Sequence, residues 1–136
     1  MESWESRESS KAMLWTGRVL TGLATAFLLF DGVIKFTHHP AVVEATTQLG
    51  WQLDVMPGIG VALLTCLALY LFPPTAVLGA ILLTGYLGGA VATHVRVGNP
   101  LFSHVLFPVY VGTFIWGGLH LRDPRVRALI PLRRPA

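Results

Sequence analysis

Four long apolar stretches separated by short breaks constrain this chain more than anything else in it. They run over residues 13–36, 55–72, 75–95 and 101–121. Each is close to the ~20 residues that a helix needs to cross ~30 Å of hydrocarbon. They are rich in glycine and lack a two-residue alternation, which argues against a transmembrane β-barrel. Of the 136 residues, 53% are hydrophobic and 12% are charged, where a soluble domain carries about 25% charged residues. So little charge cannot cover a globule of this size. A soluble enzyme, a disulfide-stapled secreted scaffold and a disordered chain are therefore set aside. The expected fold is all-α: an integral membrane four-helix bundle over residues 13–121, between an N-tail (1–12) and a basic C-tail (122–136).

The breaks between the runs support helices. Pro73-Pro74 leaves almost no connection between the second and third spans, which makes them antiparallel neighbours. Asp54 is positioned to cap span two, with Pro57 tolerated in its first turn. Asn99 is positioned to cap span four, with Pro100 at its first helical position. Residues 40–50 are too short and too polar to cross. Proline at their start and glycine at their end predict a short interfacial helix in the first outer loop. Ala24-Thr25-Ala26 resembles a cleavage site. The leader is acidic (Glu2, Glu5, Glu8) and the apolar run continues to Phe30, so a retained span is expected.

The basic residues set the orientation. Arg7, Lys11, Arg18, Arg122, Arg125, Arg127, Arg133 and Arg134 flank the ends on the side of the termini, and only Lys35 and Arg96 lie on the other. Eight against two predicts that both termini are cytoplasmic. Trp15 and Trp51 fall at opposite ends, as interfacial anchors do. These basic flanks carry no nucleic-acid motif, and the expected partner is the lipid bilayer. The lone Cys66 has no disulfide partner and reads as a small packing residue.

Span three holds Gly85-x-x-x-Gly89 and a second small stripe of Ala80, Thr84, Gly88 and Ala92. Such residues allow close backbone approach in lipid. The expectation is a central helix packed through Gly85, Gly88 and Gly89, with a homodimer through span three as the competing use.

The ionisable residues inside the spans carry any chemistry. Asp31 and Lys35 lie four residues apart on one face of span one. His94 and Arg96 end span three, and His104 begins span four. All five fall at one depth in the outer half, where ionisable groups turn inward and pair. Two readings stand. In one, the residues form a satisfied polar plug. In the other, they line a pocket for a polar-headed lipophile such as a quinone, with Tyr86 at the ring site and histidine as proton exchanger. Pro108 cannot donate to the carbonyl of His104 and should kink span four there. Haem ligation by His94 and His104 is not expected, because axial histidines lie deeper and no CxxCH is present. No metal site is expected from the spacing. His38 and His39 read as loop residues, and His120 lies at the opposite end.

The stretch Leu78–Ala90, followed by Thr93-His94-Val95-Arg96-Val97-Gly98, resembles the DoxX-like family of small bacterial membrane proteins. The similarity extends through Phe30–Lys35, Val42-Val43-Glu44, Pro100-Leu101-Phe102, His104, Pro108, Trp116-Gly117-Gly118 and Leu121-Arg122-Asp123. Pro73-Pro74-Thr75 departs from it, where Pro-Arg-Thr is more usual. The resemblance implies a four-helix bundle in the bacterial cytoplasmic (inner) membrane. The wider family takes its name from a small subunit associated with thiosulfate:quinone oxidoreductase, which implies a quinone-linked redox component or accessory subunit and a redox partner protein. The alternative is a non-enzymatic membrane scaffold or lipid-binding partner protein. Without a cysteine pair, any electrons need a bound cofactor or a partner.

Overall fold

The computed structural model describes residues 4–129. Among these, the order is α1 (Trp4–Ile34), α2 (Pro40–Gln48), α3 (Met56–Leu71), α4 (Ala76–Arg96), a π turn (Leu101–Val105), α5 (Phe107–Arg122) and α6 (Pro124–Leu129). No strand occurs among the described residues. Glu2, Arg133 and Arg134 lie outside them. Four stretches are long and apolar enough to cross a membrane: Ser10–Ile34, Leu53–Leu71, Pro73–Arg96 and Leu101–Arg122. α1 starts well before the apolar run, because nothing from Trp4 to Ala12 breaks a helix: the segment has no glycine and no proline.

α1, α3, α4 and α5 form a ring in which each helix touches two others. The closest approaches are made by glycines. A Cβ at Gly17 would stand 2.9 Å from the carbonyl oxygen of Gly118, so α1 and α5 cross nearly backbone to backbone. A Cβ at Gly32 would stand 2.6 Å from Leu64 Cδ2, and one at Gly60 would stand 3.0 Å from the Gly32 carbonyl. Gly79 meets the backbone of Tyr70 where Pro73–Thr75 reverses the chain. These contacts supply the dispersion that holds helices together when burial against lipid does not.

Span three does not pack through Gly85, Gly88 and Gly89, contrary to expectation. A Cβ at Gly85, Gly88 or Gly89 would meet nothing within 4 Å. The tight contact of α4 is made by Gly79, one end away from the glycine pair. Gly85 and Gly89 instead border a cavity, and Gly88 borders an external groove.

Tyr70 knits the end nearest the termini. It is fully buried. Its hydroxyl donates to the Ile115 carbonyl at 2.8 Å and lies 3.3 Å from Thr21 Oγ1. One side chain thus joins α3 to α5 and α1. The Arg122 guanidinium stands 5.4 Å over its ring. Arg127 folds back from α6 and donates to the carbonyls of His120 and Leu121, both at 2.9 Å. It caps the free carbonyls at the end of α5, where the helix dipole favours a cation.

Two expected caps are absent. Asp54 lies in a one-turn 3₁₀ segment, and α3 has no side-chain cap. Asn99 bonds back to His94 and leaves the next turn uncapped. The kink expected at Pro108 takes the form of a break. Residues 101–105 wind as a π turn, and α5 restarts with Pro108 in its first turn, where the missing N–H costs no helical bond.

Candidate functional site

The ring does not close at the end remote from the termini. A cavity of about 630 Å³ remains among the helices there. Leu28 of α1, Met56 and Ile59 of α3, Leu87 of α4, and Phe107 and Val111 of α5 make its wall apolar. α2 lies across the opening with Val42, Thr46 and Leu49 turned to the space. Its geometry follows from local rules. Pro40 begins the helix, and the His39 ring nitrogen accepts from the Ala41 N–H at 3.1 Å. Gly50 ends it at φ +77°, a conformation that glycine takes without cost.

The polar groups of the cavity are few. Lys35 Nζ donates to Asp31 Oδ2 at 2.6 Å and to the Asp31 carbonyl at 3.3 Å. The Tyr86 hydroxyl reaches the same Oδ2 from α4 at 3.5 Å. An ion pair from the end of α1 and the turn after it, and a phenol from α4, thus sit in an apolar chamber of ligand size. Both charges are largely withdrawn from solvent, with the Lys35 side chain 15% and the Asp31 side chain 33% exposed. The pair is neutral as a whole. Lys35 keeps donor capacity for a ligand, and the Tyr86 oxygen keeps acceptor capacity.

The other candidates go elsewhere. His94 borders the cavity, but its Nδ1 lies 2.8 Å from the Asn99 side-chain amide. Its ring stands edge-on to His104, with centroids 5.8 Å apart. His104 is exposed, outside the cavity, and its Nδ1 meets Ser103 Oγ at 2.8 Å. Arg96 turns away from both groups. It donates to the Leu49 carbonyl at 2.7 Å and stands 5.7 Å over the Trp51 ring. The five residues and Tyr86 therefore form three small groups rather than one network: Asp31–Lys35–Tyr86, His94–His104, and Arg96 clasping the end of α2. No cluster of three or more His, Cys, Asp or Glu side chains occurs among the described residues.

Sequence reasoning missed α2 as a wall of the cavity, Gly85 and Gly89 as the residues that leave it open, and Asn99 and Ser103 as supports of the histidines. The short polar helix in the first outer loop was a signal for the first of these. Nothing in the spacing distinguished a glycine facing a void from one facing a helix.

A second, external groove runs between α4 and α5 over Thr84, Gly88, Gly112 and Trp116. The Trp116 indole donates across its floor to Thr84 Oγ1 at 2.8 Å.

Four apolar helices around an interior cavity define a small multi-pass membrane protein. The sequence model described as the DoxX-like family matches residues 19–118, so the chain belongs to that family. That stretch contains α1 from Val19 onward, α2, α3, α4, α5 as far as Gly118, and the residues that line the cavity. No curated protein and no solved structure matches the chain.

Proposed function

We propose that the cavity binds an uncharged, polar-headed lipophile of the quinone class, and that the protein serves as a quinone-linked redox component or accessory subunit. The observation that carries this reading is the Asp31–Lys35–Tyr86 group inside an apolar chamber of about 630 Å³. A quinone offers carbonyl oxygens to Lys35 and, when reduced, a hydroxyl to Tyr86 or Asp31. An anionic head is disfavoured, because Asp31 already neutralises Lys35. The eight-to-two asymmetry of basic residues supports a cytoplasmic position for both termini, with the cavity toward the outer leaflet of a bacterial inner membrane.

The test is mass spectrometry of lipids extracted from gently purified protein, with quinone titration followed by quenching of tryptophan fluorescence. Retention of a quinone by the wild type, and its loss in Lys35→Met and Tyr86→Phe, supports the reading. Equal retention in all three refutes it. The open groove at Gly88 and Gly112 supports the alternative, a scaffold whose α4–α5 face receives a partner helix or a second copy. A quinone-free protein that purifies as a dimer or with a partner would favour that alternative.

A further inference from the structure

We propose that His94 and His104 form an exchangeable two-nitrogen site for a late first-row divalent cation, Cu²⁺ ahead of Zn²⁺, at the rim of the cavity. This reading is independent of what the cavity holds. A cation at ~2.0–2.1 Å from each of two imidazole nitrogens requires ring centres roughly 5–6.5 Å apart. The observed centroid separation is 5.8 Å.

Both rings are held by their Nδ1 atoms, His94 by Asn99 and His104 by Ser103, each at 2.8 Å. Metal-binding histidines are commonly oriented in this way through the nitrogen that does not bind. Each Nε2 is left without a partner among the described residues. The Asn99 amide, turned over, presents its oxygen to an Nδ1–H, which is the tautomer that ligation through Nε2 needs. Ser103 Oγ can accept in the same way.

The backbone supports the pair. His94 lies in the last turn of α4, and His104 lies in a π turn, a winding that is scarce and frequent at functional sites. It sets the direction in which His104 leaves the chain. Arg96, two residues from His94, would repel a cation. It is drawn off to the Leu49 carbonyl and Trp51. His104 is exposed, so the site opens outward. Two imidazoles leave the remaining positions to water, which makes binding moderate and exchangeable. Nitrogen donors favour Cu²⁺ over the other divalent ions of the row.

The test uses full-length protein in detergent, without a histidine tag. Cu²⁺ is titrated against a weak competing chelator and followed by electron paramagnetic resonance. The expected result is one Cu²⁺ per chain with splitting from two nitrogens. His94→Ala and His104→Ala should each lower affinity at least about tenfold and leave one nitrogen, while Asn99→Ala lowers it about tenfold with both nitrogens kept. A His38→Ala/His39→Ala variant should match the wild type. Gel filtration confirms that each variant remains folded. Wild-type binding no tighter than that of the His94→Ala/His104→Ala double variant, or loss confined to the His38→Ala/His39→Ala protein, would overturn the site.

Discussion

Placing leucine at Gly89 tests the cavity against the simpler idea that the glycines of α4 are packing residues. A Cβ there meets nothing within 4 Å, and the position borders the 630 Å³ space. A leucine side chain adds four carbons, roughly 120 Å³ if each takes about the ~30 Å³ share of a water. That is near one fifth of the cavity, and Gly85→Leu/Gly89→Leu together fill nearly two fifths. Neither substitution should strain the fold. Glycine in a helix costs about 0.8–1.0 kcal/mol relative to a good helix former. The single variant should therefore unfold at the same temperature as the wild type or a few degrees higher. Gly79→Ala is the opposing control. Its new methyl group meets the Tyr70 backbone, and overpacking of this kind costs about 1–3 kcal/mol. Thermal unfolding in detergent and quinone titration are the paired assays. The double variant should stay folded and lose quinone binding. A clear drop in the melting point of Gly89→Leu would show that this face is packed. Undiminished binding by the folded double variant would place the ligand elsewhere.

Lys35→Met strands the Asp31 carboxylate and should destabilise the protein by about 1–3 kcal/mol, less than the ~3–5 kcal/mol of a fully buried pair because the Asp31 side chain is 33% exposed, while Asp31→Leu/Lys35→Met should recover most of that in chemical unfolding, because an unpaired charge costs more than the pair contributes. Tyr70→Phe removes the hydroxyl that joins three helices and should cost about 0.6–1.7 kcal/mol, read as a lower unfolding midpoint with quinone affinity unchanged. Arg96→Ala frees the end of α2 and should raise amide exchange across Pro40–Gln48 severalfold and quicken ligand release, leaving exchange in α3 unaltered. Reporter fusions at the N-tail, after Pro74 and at the C-tail should all report cytoplasm; a periplasmic C-tail signal would defeat the four-span orientation.

The helices were legible because length and hydropathy are properties of a segment by itself. Four apolar runs became four helices, and Pro73-Pro74 became a reversal too tight to permit anything but antiparallel neighbours. The pairing of glycines with their targets was not legible, because it depends on the rotation of each helix about its own axis. Gly79 and Gly85 lie six residues apart on α4. One meets the Tyr70 backbone and the other faces a void. Both read alike as small residues in an apolar helix. Only the path of α3, set by the short Pro73–Thr75 turn, separates them.

The same distinction explains the polar groups. Asp31 and Lys35 are paired by helix periodicity within one segment, so their contact could be read from spacing, and it is present at 2.6 Å. Arg96 shares only a depth with them. Depth fixes a height along the bundle but leaves the direction of a long side chain open. The Arg96 guanidinium donates to the Leu49 carbonyl at the end of α2, at 2.7 Å. That carbonyl is free of a backbone partner because Gly50 stops α2 there. With Arg96 engaged outside, Lys35 is the one cation bordering the chamber among the described residues, and Asp31 balances it. The interior is thus apolar, polar at one point and without net charge, which fits a carbonyl or hydroxyl head better than a phosphate.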